Sequence, residues 1–177
     1  MRTLLIGLAV LGLGLALSSG AAHAQAGDWK TLTSKAGRFT VMMPGEAKEQ
    51  KQDVPTPAGK ITMTMYILEK DGTAYFATFN DYPAELIQKS EADTLLDGAR
   101  DGAVGNVKGK LLEEKKIKVD AFPGREITFE ALGGMFIGRS RIYLVKERLY
   151  QVMVLSPKAA GLPKDAGKYL DSFKLTK

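Results

Sequence analysis

Two sets of polar residues are spaced so that they could do chemistry. Arg139 and Arg141 lie two residues apart, and in an extended segment that spacing puts both side chains on one face. With Arg125 they offer guanidinium forks suited to an anion or a carboxylate. Pairing offers them a structural use instead. Across a hairpin turning at Gly133-Gly134, Glu126 stands opposite Arg141 and Thr128 opposite Arg139, which makes a cross-strand ion pair. The second set is Asp97, Arg100 and Asp101, at i, i+3 and i+4 of a helical pattern, with Asp81 upstream. Asp81 and Asp97 could divide acid and base roles in a hydrolase if burial raised one of them. An arginine between Asp97 and Asp101 favours the ionised form of both, as on a solvated helix face.

Other catalytic sets lack a member. The chain has no cysteine, and its one histidine is His23. The commonest metal ligands, the usual general base at neutral pH and the thiol nucleophile are therefore scarce or missing. Met42-Met43 and Met63-x-Met65 could form a thioether site for Cu(I), but Met63 and Met65 share a face with Ile61 and Ile67, which reads as core. No serine sits in G-x-S-x-G or S-x-x-K, and no phosphate loop or dinucleotide fingerprint occurs. Asn80-Asp81 is too sparse for a calcium loop. No catalytic residue, metal site or cofactor is expected.

The N-terminus explains why His23 is set aside. Met1-Arg2-Thr3 is short and positive, residues 4–17 are apolar, and Ala22-His23-Ala24 has the A-x-A form of a signal-peptidase site. We expect a secretory signal over 1–24, cleaved after Ala24, by the general route because no Arg-Arg pair is present. An apolar run of about 14 residues falls short of the roughly 20 needed to span a bilayer, so no transmembrane anchor is expected after cleavage. Residues 25–177 then form a single domain of ordinary size, working in the periplasm or outside the cell. The whole chain carries a formal net charge of +5. An exported chain with no basic aromatic patch is a poor nucleic-acid binder.

The remaining pattern specifies the elements that position these residues. Residues 38–43 read as a strand stopped by Pro44-Gly45, and 46–54 as a charged edge strand. Pro57-Ala58-Gly59 turns the chain back. Residues 60–69 alternate cleanly, Asp71-Gly72 is a hairpin turn, and 73–82 is an aromatic strand ended by Pro83. Over 90–107 the period changes to helical, with Ala92, Leu95, Leu96, Ala99, Ala103 and Val107 on one face and Ser90 as N-cap. Strands follow at 110–119 and 125–131, the latter after a turn at Phe122-Pro123-Gly124, then at 135–145 and 148–156. Pro163 opens a last helix whose stripe is Ala166, Tyr169, Leu170 and Phe173. If Lys146-Glu147 is the final hairpin turn, Tyr143 faces Tyr150 and Leu144 faces Leu149. Both faces of that pair are apolar, so the sheet needs helix or loop cover on each side. The fold class is α+β: a twisted, mainly antiparallel sheet of about six to eight strands flanked by helices, an α/β/α sandwich.

The segments Gly37-Arg38-Phe39 to Met43-Pro44-Gly45, Asp81-Tyr82-Pro83 and Leu96-Asp97-Gly98-Ala99-Arg100-Asp101-Gly102 resemble those of a group of exported bacterial proteins without an assigned activity. So do Pro123-Gly124-Arg125-Glu126, Arg141-Ile142-Tyr143-Leu144-Val145 with Arg148-Leu149-Tyr150-Gln151, and Leu170-Asp171-Ser172-Phe173-Lys174. The layout is similar to the PsbP/Mog1/DcrB-like fold. That resemblance implies an accessory or binding protein rather than an enzyme, with an envelope or secreted protein as its partner, and it carries over no catalytic or ligand residue. The alternatives are a small-ligand or anion binder using Arg125, Arg139 and Arg141, and a carboxylate-dependent hydrolase using Asp81 and Asp97.

Overall fold

The computed structural model describes residues 29–56 and 59–177. The expected signal segment, its cleavage site, His23 and the turn at 57–58 lie outside the described residues. A hairpin comes first: β1 (Lys30–Ser34) and β2 (Phe39–Met43) pair antiparallel, and the last strand β10 (Lys174–Leu175) joins the free side of β2. The remaining strands build one seven-stranded antiparallel sheet. It comprises β3 (Lys48–Thr56), β4 (Gly59–Lys70), β5 (Thr73–Asp81), β6 (Lys110–Val119), β7 (Phe122–Ala131), β8 (Phe136–Val145) and β9 (Arg148–Pro157). Its order is β3-β4-β5-β9-β8-β7-β6.

That order follows from one long connection. After β5 the chain runs through α1 (Ala84–Lys89) and α2 (Ala92–Asn106) to the far edge, then folds back through three hairpins until β9 pairs with β5. α2 thereby lies on one face against β6, β7 and β8. Leu95, Leu96, Ala103, Val104 and Val107 face Ile127, Phe129, Ile142 and Leu144 there. Gly138 allows close packing of the strands beneath, because a Cβ at that position would stand 2.4 Å from the Phe129 ring. The opposite face is covered by α3 (Ala166–Asp171) and the small sheet. So the expected α+β class and antiparallel sheet are found, and one of the two covers is itself largely strand.

The second core is aromatic. Phe39 is fully buried and meets the rings of Tyr66, Phe79, Tyr150 and Phe173 at 5.4–6.2 Å. Phenol hydroxyls fasten this layer to backbone: Tyr150 donates to Gly37 O at 2.7 Å and Tyr169 to Phe76 O at 2.6 Å. Tyr66 and Ser34 share a hydrogen bond of 2.9 Å. Each satisfies a buried polar tip while its ring supplies apolar area.

Several boundaries differ from the sequence reading. α2 begins at Ala92 with Glu91 as its cap position, and Ser90 instead ends α1, a six-residue helix the reading did not contain. Pro123 and Gly124 lie inside β7, and the turn sits at Asp120-Ala121. Pro123 is tolerated because β8 first pairs with β7 at Gly124, which leaves no ladder donor missing at Pro123 on that side. Pro163 accepts from Ala166 N in a turn, and α3 starts three residues after it. The stripe Ala166, Tyr169, Leu170 and Phe173 is buried as expected.

Candidate functional site

Charged side chains concentrate where α2 crosses β6 and β7. Asp93 and Asp97, one helical turn apart, project from α2, Glu114 and Lys116 alternate on β6, and Arg125 comes from β7. The Arg125 side chain is only 4% exposed. It donates to Asp93 at 2.7 Å, to Asp97 at 3.4 Å and to Glu114 at 3.1 Å. Arg100 adds bonds to Asp97 at 3.2 Å, Asp101 at 2.8 Å and Glu114 at 2.9 Å, and Lys116 reaches Asp93 at 2.8 Å. Four carboxylates thus share three cations, and all of these but Asp101 line an open cleft of about 320 Å³.

The electrostatics of this cluster suit attachment rather than proton transfer. Hydrogen bonds from Lys116 and Arg125 hold the Asp93 carboxyl down at about 2. Burial works against the charge on Arg125, yet its bonds to Asp93 and the nearby charges raise its pKa overall. Hydrogen bonding to Asp101 leads the causes that raise Arg100. A carboxylate held ionised by two cations is a poor general acid, and a guanidinium shared among three carboxylates has no free fork for a ligand.

The three arginines singled out from sequence do not converge. Arg125 lies with Ile127 and Phe129 on the α2 face, whereas Glu126 and Thr128 stand opposite Arg141 and Arg139 on the other face. The expected register is observed, and Arg141 donates to Glu126 at 2.6 Å and to Asp171 at 2.7 Å. Arg139 differs. Its side chain makes no hydrogen bond or ion pair among the described residues, and its Nε is fully shielded without a partner. A buried donor left unpaired is costly, which sets Arg139 apart from Arg100, Arg125, Arg141 and Arg148.

Asp81 and Asp97 also sit apart. Asp81 ends β5 and grips Arg148, Oδ2 to Nη2 at 2.7 Å, while Arg148 Nη1 donates to Ala36 O at 2.8 Å beside the small sheet. Asp97 is on α2, across the large sheet from that layer. The two carboxylates share no pocket, and each is ion-paired. Met43 packs in the aromatic core, and Met63 is buried on β4 with its side chain toward the α2 side. Among the described residues no group of three or more His, Cys, Asp or Glu side chains could hold a metal ion.

No protein-family model and no curated protein matches the chain. Among solved structures it is similar to cyanobacterial PsbP (CyanoP) from Synechocystis sp. PCC 6803. The TM-score is 0.57 at 8% identity, and the alignment covers 89% of this chain and 98% of that one. The fold is PsbP-like. A protein of unknown function from Pseudomonas aeruginosa, PA94, aligns at a TM-score of 0.36 with 9% identity, over 74% of this chain and 84% of that one. At 8% identity the likeness to CyanoP is one of fold alone.

On this PsbP-like scaffold the residues that sequence reasoning missed are Asp93, Glu114 and Lys116. Glu114 and Lys116 belong to a strand with exposed charges throughout, and nothing local distinguishes them from ordinary edge residues. The parity of Arg125 was readable. Once Glu126 is placed opposite Arg141, Arg125 must point to the other face.

Proposed function

We propose that this chain is an exported accessory domain, non-enzymatic, that works in the periplasm or outside the cell by binding a protein partner of the envelope. In this reading the leader over 1–24 is removed after Ala24 and takes the one imidazole with it, leaving residues 25–177 as the working domain. The observation that carries the proposal is the disposition of the charged groups. Carboxylates and guanidiniums that would have to converge on a reacting centre are instead bonded to one another on separate faces of the sheet. A PsbP-like fold is compatible with this role but does not specify it. The test is affinity purification from envelope extract, with mass spectrometry of the mature N-terminus. A stoichiometric partner and a chain starting at Gln25 support the reading. A chain retaining Met1, or no partner together with turnover of some substrate, overturns it.

A second reading has one observation in its favour. The unpaired Arg139, beside an Arg141 already engaged by two carboxylates, is suited to bind a small carboxylate or other anion. Thermal shift across a panel of anions decides it. Stabilisation that disappears in Arg139→Ala supports this reading, and no stabilisation, or an equal one in that variant, eliminates it.

A further inference from the structure

The β7–β8 turn breaks two local rules at once. Six non-glycine residues among those described adopt positive φ, and five of them are charged: Arg38, Asp71, Lys108, Asp120 and Lys146. The sixth is Leu132, at φ 49°, in a conformation that favours glycine or asparagine. Leu132 is also 45% exposed, and Met135, three residues on, is 64% exposed, the most of any large apolar side chain among the described residues. A solvent-facing turn with no further role would carry a polar residue at both positions, gaining solubility, and glycine or asparagine at 132 would also relieve strain.

The turn is held firmly. Leu132 N donates to Val107 O, and Lys158 N donates to Met135 O, each at 2.8 Å. These bonds pin its backbone on both sides and hold the two apolar side chains outward. They also place lysines around it. Lys108 follows Val107 directly, Lys158 is itself a donor to the turn, and Lys110 pairs with Glu130 on the adjoining strand. All three lysines are exposed. The acid in this corner is Glu130, which bonds Lys158 and is held ionised by Lys158 and Lys110. Three cations against one carboxylate leave the rim positive.

We propose that this corner is a membrane-contact tip: Leu132 and Met135 enter the headgroup boundary of an anionic bilayer while Lys108, Lys110 and Lys158 lie at the level of the lipid phosphates. Lysine suits this role because its flexible stem can lie along apolar surface while its ammonium stays in water. Clustered lysines beside exposed aliphatic side chains match anionic lipid by charge and by insertion. The composition argues against a protein-binding hot spot, where Trp, Tyr and Arg are enriched and Lys is depleted. The proposal uses none of Arg125, Arg139 and Arg141 and is independent of the anion reading.

The test uses the exported protein as recovered from cells, with vesicles of phosphatidylcholine alone or mixed equally with phosphatidylglycerol. Binding is expected only to the anionic vesicles and is expected to weaken with salt. Leu132→Asn with Met135→Gln should weaken it roughly tenfold, the loss expected for withdrawing apolar side chains from lipid. The melting temperature should hold or rise, because asparagine accepts the backbone conformation of Leu132. In a Met135→Trp variant, brominated acyl chains should quench the added indole while Trp29, packed against Tyr75 and Lys168, is spared. Absence of binding to anionic vesicles, binding indifferent to lipid charge, binding unchanged in the double variant, or an unquenched Trp at 135 would each overturn the proposal. A double variant that loses a protein partner while vesicles are never bound would assign the tip to protein instead.

Discussion

The two faces of the large sheet are fastened by different physics. On the side of the small sheet, rings packed edge to face fill the layer and phenol hydroxyls bond to backbone carbonyls. On the α2 side the packing is mainly aliphatic, and the helix is tied at its N-terminal half by the cluster around Arg125. Neutral hydrogen bonds and buried rings respond little to salt or to pH below neutrality. The ion pairs of Arg125 with Asp93, Asp97 and Glu114 respond to salt, and Asp93, held at about 2 by its cations, responds to acid as well. Arg141 with Asp171 and Arg148 with Asp81 add ion pairs to the aromatic side, but its centre is held by rings, so the α2 face is the more salt-sensitive of the two.

The largest break in the comparison should come from the aromatic side. Phe39→Ala removes a fully buried ring that contacts four others and should cost about 3–5 kcal/mol in urea unfolding. That loss should be the same in low and high salt. Next in size is Arg125→Met, which keeps the buried stem and deletes the charge-assisted bonds. It should cost about 1–3 kcal/mol at low salt, and less in 1 M salt where the wild-type pairs are already screened. Removing the Tyr169 hydroxyl in Tyr169→Phe deletes one neutral bond to Phe76 O and should cost about 1 kcal/mol, independent of salt. A salt-dependent Phe39→Ala or a salt-independent Arg125→Met would merge the two faces into one mechanism.

The smallest effect sharpens the contrast through pH. Asp93 has its folded-state pKa lowered to about 2 from an ordinary 3.8. A lowered carboxyl pKa contributes stability that is complete above the unfolded value and lost as pH falls through the folded one. The wild-type melting temperature should therefore fall between about pH 4 and pH 2 more steeply than that of Asp93→Asn. Equal slopes would show that the Lys116 and Arg125 bonds to Asp93 add nothing.

Much of the scaffold was legible, and particular residues show why. Ile61, Met63, Met65 and Ile67 alternate, Asp71-Gly72 turns, and a strand runs from Gly59 to Lys70. The Tyr143–Tyr150 and Leu144–Leu149 pairings followed from a two-residue turn at Lys146-Glu147. The small sheet was harder. β1 is Lys-Thr-Leu-Thr-Ser, with one apolar residue, and β10 has two residues, so tertiary contacts rather than local pattern make them strands. α1 buries none of its six residues and left no stripe to read. The site was legible in part. Arg141 with Glu126, and Arg100 with Asp97 and Asp101, are set by local spacing. Arg125 with Asp93 and Glu114 joins three elements, and only the fold brings them together.

The charged cluster on the α2 face is a latch that holds the helix to the sheet. Native-state hydrogen exchange tests it most directly, comparing amides of α2 with amides of β5 and β9 in low salt and in 1 M salt. Protection of α2 is expected to fall selectively in high salt and in Arg125→Met, while β5 and β9 keep theirs. Protection of α2 that is unchanged by both treatments would contradict it, because the helix would then be held without these charges.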